Sequence, residues 1–76
     1  MVQKGDVFRH IYSKQRILIL DVLTTERRKL PEIRVYYEVL KTKCGEEPSR
    51  ATFNSSRIDI FSTEYILAKK SERDYA

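Results

Sequence analysis

Apolar positions along the chain fall into three blocks separated by charged stretches, and the blocks predict the elements. Ile17, Leu18, Ile19, Leu20, Val22 and Leu23 leave almost no polar face, which predicts a first, centrally buried helix over Ser13–Thr25. A short strand over Ile17–Leu20 competes, because the run is partly β-branched. Ile33, Tyr36, Tyr37, Leu40 and Cys44 recur at spacings of three and four and predict a second helix over Pro31–Cys44, with Cys44 as a small buried hydrophobe. Pro31 suits a first helical position, Glu32 suits the dipole, and Gly45 suits the residue after the helix end. Glu46-Glu47-Pro48 then reads as a turn, and Ser49 as the cap of a third helix over Ser49–Ile60, with Phe53 and Ile60 on one face.

One conflict stays open in that third block. Arg57 falls near the apolar line of the helix. If the helix stopped near Ser56, residues Arg57–Phe61 would alternate as a strand and Ser62-Thr63-Glu64 would form the turn. After it, Tyr65–Lys69 predicts a strand ending in cations, with a tip at Lys70-Ser71-Glu72-Arg73 and only Asp74-Tyr75-Ala76 for a returning strand. Before the first block, Val7, Phe8, Ile11 and Tyr12 fit either one side of a short helix or an extended arm, with Asp6 as its cap.

A chain of 76 residues with 41% hydrophobic residues holds one small domain with a modest core, over residues 1–76. The net charge of +4 favours a polyanionic partner. A lone Cys44 and a lone His10 build neither a disulfide nor a metal set, and scattered carboxylates and two glycines offer no acid–base pair or phosphate loop. No enzyme activity, cofactor, metal or small-molecule ligand is therefore expected. No apolar run long enough for a membrane span occurs, so a soluble, cytoplasmic protein is expected.

The stretch Glu47–Lys70 resembles the recognition helix and first wing strand of the winged helix-turn-helix DNA-binding family. Ser49, Thr52, Phe53, Ile60, Tyr65, Ile66 and Lys69-Lys70 fill the family's places, while Arg57 and Glu64 depart from it. The whole chain also resembles the small winged-helix transcription factors that archaeal plasmid–virus hybrids carry. The resemblance implies an α+β fold: three helices in a winged helix-turn-helix with a small antiparallel β wing. It also implies sequence-specific binding of double-stranded DNA by a transcription regulator, including at its own promoter, in the host cell of a virus or plasmid. A second copy of the chain is an expected partner on DNA. An origin-recognition type of winged helix and a protein-binding winged helix are the alternatives.

On this reading Arg50, Ala51, Asn54 and Ser55 face the groove, since such side chains match base edges. Ser49 and Thr52 would hold a phosphate at the helix start, and Arg57 is counted with them. Lys69, Lys70 and Arg73 would contact the backbone from the wing, flanked by Arg28 and Lys29 in the Arg27-Arg28-Lys29 run.

Overall fold

The computed structural model describes residues 2–71. In chain order these form strands β1 (Val7–His10), β2 (Arg16–Arg27), β3 (Leu30–Lys41) and β4 (Phe53–Arg57), helix α1 (Ile58–Glu64) and strand β5 (Tyr65–Lys69). The strands make one sheet in the order β4-β3-β2-β1-β5, with every pairing antiparallel. The first four strands are therefore a meander. Helix α1 carries the chain from one edge of the sheet to the other, so that β5 pairs with β1.

This architecture overturns the three-helix winged helix-turn-helix. The span expected as the first helix lies mostly on β2, and the span expected as the second lies mostly on β3. The physical reason is visible in the burial. Ile17 and Ile19 are buried while Leu18 and Leu20 are half-covered, and Val35, Tyr37 and Val39 are buried between half-covered Arg34, Tyr36, Glu38 and Leu40. That is period two, with β-branched and aromatic residues at the buried positions. Apolar side chains on both faces hid the alternation and imitated a helical stripe.

The third expected helix is also absent. Ser49, Arg50, Ala51 and Thr52 lie in the β3–β4 connection, residues 53–57 form β4, and the helix begins where the expected one should have been ending. The alternative strand over Arg57–Phe61 does not form either, since Ile58–Glu64 is helical. The strand over Tyr65–Lys69 is present with those bounds, paired with β1 as a sheet strand. Cys44 is exposed, in a turn and not in a core. Gly45 has φ +86°, a conformation that suits glycine, and a Cβ there would come within 3.0 Å of the Lys14 side chain. The glycine thus marks a tight crossing of two loops, where Lys14 N–H also donates to the Lys43 carbonyl at 3.2 Å.

The core lies on one face of the sheet, under α1. Phe61 is the helix's buried residue, and its ring sits 5.0 Å from Phe8, 4.9 Å from Tyr65 and 6.5 Å from Tyr37. Those three rings come from β1, β5 and β3, so one side chain fastens the helix to three strands. The helix needs this anchor. It has seven residues, no side-chain N-cap, and Ser62 and Thr63 hydroxyls bonded back to the Ile58 and Ile60 carbonyls at 2.8 Å each. Tyr65 closes the cluster by donating its hydroxyl to Gln15 Oε1, which satisfies two polar groups inside the aromatic core.

A second fastening joins the segment before β1 to the segment after β5. The Asp6 carboxylate is almost completely buried and accepts the backbone N–H of Gln3 at 3.0 Å and of Ser71 at 2.7 Å. Its own backbone carbonyl accepts from Ile19 N–H at 2.9 Å. Charge-assisted bonds of this kind are worth more than neutral ones, and removing the carboxylate strands two donors. Asp6→Ala is expected to destabilise the fold by about 3 kcal/mol in urea unfolding, and Asp6→Asn by less, because the amide keeps one acceptor. Equal stability of all three proteins would show that Asp6 does not tie the end of β5 to the turn before β1.

Candidate nucleic-acid interface

Residues directly opposite one another in a sheet share a face, so the strand register maps the side away from α1. One row crosses four strands as Ile66, Arg9, Arg16 and Lys41. The next row crosses all five as Lys69, Val7, Leu18, Glu38 and Phe53. Beyond these come Asp21, Tyr36 and Ser55, and then Leu23, Arg34 and Arg57. Cations and apolar side chains share this surface, with Asp21 and Glu38 as its acids in those rows.

The first row is unusual. Arg9 is registered opposite Arg16, and Arg16 opposite Lys41, which places three like charges side by side across three strands. Like charges in directly opposite positions destabilise a sheet. No carboxylate among the described residues makes an ion pair with Arg9 or Arg16, and Lys41 reaches only the exposed Glu47 at 3.6 Å. Lys14 and Lys43 lie at the same end, in the two loops that cross at Gly45. An anion laid across this end would remove the repulsion.

The cations at the other end of the face are already engaged. Arg34 holds Glu32 at 3.1 Å and donates to Ser55 Oγ at 3.2 Å. Arg57 grips Asp59 with two nitrogens, Nε standing 3.1 Å from Oδ1. The Arg57 hydrogen bond, with help from the Ile60 backbone N–H, lowers the Asp59 carboxyl from its ordinary 3.8 to about 2. A depressed carboxyl contributes stability that is complete above its unfolded value and is lost as pH falls through the folded one. The start of α1 should therefore hold unchanged above pH ~4 and loosen between pH ~4 and ~2. A carboxyl-carbon NMR titration is expected to put the Asp59 midpoint near 2 and to move it up towards 3.8 in Arg57→Ala. An unmoved midpoint would mean that Arg57 does not set it.

The sequence-predicted DNA residues do not form one surface. Ser49, Arg50, Ala51 and Thr52 sit in the β3–β4 connection, where the Thr52 hydroxyl donates to the Arg50 carbonyl at 3.1 Å and caps no helix. Asn54 is opposite Tyr37, on the α1 side of edge strand β4, whereas Ser55 is on the outer face under Arg34. Arg57 precedes the helix and is committed to Asp59. Lys69 lies opposite Val7 on the outer face, and Lys70 follows it, exposed. Arg73 lies outside the described residues. Arg28 and Lys29 form the turn between β2 and β3, at the far end of the sheet from Arg9.

Comparisons with protein families, with curated proteins and with solved structures find no match. The residues that sequence reasoning missed are Arg9, Arg16 and Lys41. Each stands next to an apolar residue in the sequence, but only the pairing of β1 with β2 and of β2 with β3 makes them a row. No helix among the described residues is long and apolar enough to cross a membrane.

Proposed function

We propose that the chain is a nucleic-acid-binding module that takes double-stranded DNA on the outer face of its sheet. The observation that carries this reading is the Arg9–Arg16–Lys41 row, a repulsive arrangement that a phosphate backbone would relieve. The net charge of +4 points the same way. Regulation of transcription, from its own promoter among others, is the finer form of the proposal. It now requires base readout from a sheet or hairpin and not from a recognition helix.

Fluorescence anisotropy with a labelled duplex of about 20 base pairs tests the reading, repeated at several salt concentrations. With three or more phosphate contacts, log affinity should fall against log salt with a slope of about −3 or steeper. Selection from a random duplex pool then tests the finer form, which expects an enriched sequence. An unlabelled single strand of equal length should compete poorly. Equal competition would shift the reading to single strands stacking on Tyr36 and the 60% exposed Phe53.

A second reading is a protein-binding module, favoured by Ile66 and Leu67 on β5. They are 42% and 49% exposed on an edge strand that pairs only with β1 among the described residues. Binding of this kind would respond little to salt.

A further inference from the structure

The longest strands reach well past their neighbours. β1 pairs with β2 only over residues 16–18, and β4 pairs with β3 only over residues 34–38. Beyond the Leu23–Arg34 pair, β2 and β3 run on as a two-stranded ribbon through the pairs Thr24–Ile33, Thr25–Glu32, Glu26–Pro31 and Arg27–Leu30. Four pairs of rise make an arm of roughly 13 Å, ending in the two-residue turn Arg28-Lys29. No strand among the described residues flanks the arm on either edge.

Two features of the arm ask for a partner. Its tip is built from the wrong residues for its shape: Arg28 and Lys29 have φ +51° and +65°, where a two-residue hairpin ordinarily places Asn-Gly or Asp-Gly. Directly behind the cations stand exposed apolar side chains, Leu30 at 69% and Ile33 at 42%, with Pro31 exposed between them. Cations at a tip with apolar residues behind them match a polyanion with an apolar interior. A two-stranded ribbon also fits the width of a duplex major groove, and apolar side chains on such elements can wedge between base steps from the minor groove.

Between the arm and the start of α1 runs a cleft of about 770 Å³, lined among others by Arg28, Leu30, Ile58 and Arg57. Glu32 and Asp59 line it too, and each is already held by an arginine. We infer that the β2–β3 arm inserts its Arg28-Lys29 tip and Leu30 into a groove of duplex DNA, while one sugar–phosphate strand passes along the cleft behind it. This rests on the duplex-binding reading of the sheet. It adds the element that enters the groove, and Glu26 is the one acid on the arm outside that scheme.

Two variants test it on the full chain, with the same labelled duplex. Arg28→Asn with Lys29→Gly keeps the turn geometry, so the unfolding midpoint should stay the same or rise. Affinity should fall on the order of sixtyfold at 0.1 M salt, with the slope shallower by about two units. Leu30→Ser leaves the charge unchanged, so it should cost roughly tenfold in affinity, the worth of burying one leucine side chain, with an unchanged slope. Parental affinity in both variants, while Arg9→Ala with Arg16→Ala binds more weakly, would overturn the arm and leave the sheet reading standing. A loss in the tip variant alone, with Leu30→Ser at parental affinity, would also overturn insertion and reduce the tip to a surface charge. If the parent shows no salt-dependent duplex binding, the sheet reading fails first.

Discussion

Arg9→Ala combined with Arg16→Ala is expected to lower affinity for duplex DNA on the order of sixtyfold at 0.1 M salt. Counterion release sets the size of the loss, since each lost phosphate contact removes about 0.9 from the salt exponent. The slope of log affinity against log salt should become shallower by about two units, and the loss should be similar for every sequence. The fold should not suffer. Both side chains are exposed, they are registered against each other, and Arg16 is also registered against Lys41, so their removal lifts a repulsion. A midpoint of unfolding equal to or above that of the parent, together with the lost affinity, is the combined signature. Weaker binding accompanied by a lower midpoint would instead make the arginines structural.

Phe61→Ala is expected to destabilise the protein by roughly 3–5 kcal/mol, the usual range for emptying a fully buried aromatic site. Phe61 is 1% exposed and touches rings from three strands, so little of the cavity can close without moving the sheet. For a domain of this size, such a loss is a large share of total stability. Phe61→Leu should keep much of it. Urea unfolding monitored by circular dichroism checks both variants. A loss under about 1 kcal/mol for Phe61→Ala would mean that α1 is not fastened to the core through this ring.

What could be read from the sequence, and what could not, follows from where the apolar side chains went. The strand Tyr65–Lys69 was legible because its composition is β-prone and a change of pattern precedes it. Ile17–Leu20 carried a strand signal as the competing reading, and the structure takes that side. The long strands were misread because half-covered Leu18, Leu20, Tyr36 and Leu40 stand between the buried Ile17, Ile19, Val35, Tyr37 and Val39. Two partly apolar faces erase the alternation that marks a strand. An irregular register adds to this, since the β2–β3 pairing shifts between Ile19 and Asp21 and again between Arg16 and Ile17.

The helix was misplaced for a different reason. Ser49 is a good cap by type, but nothing behind it packs as a helix, whereas Ile58–Glu64 has poor intrinsic propensity and exists because Phe61 is buried. Tertiary contacts chose the helix. Of the candidate site, the positive charge and the Arg28-Lys29 pair were legible, but not the cross-strand row, which appears only with the register. The hairpin tip was equally hidden, because Arg-Lys is not a turn signature.

Amide chemical-shift mapping of the labelled protein against an unlabelled duplex of about 20 base pairs tests whether DNA lies on the outer face of the sheet. The amides of Arg9, Arg16, Tyr36 and Lys41 should move on addition of DNA, with those of Arg28, Lys29 and Leu30 at the arm tip. The α1-side core around Phe61 should stay still, and all the shifts should revert when salt is raised. Shifts confined to Ser49–Asn54 and the start of α1, with the Arg9–Arg16–Lys41 row unmoved, would contradict it.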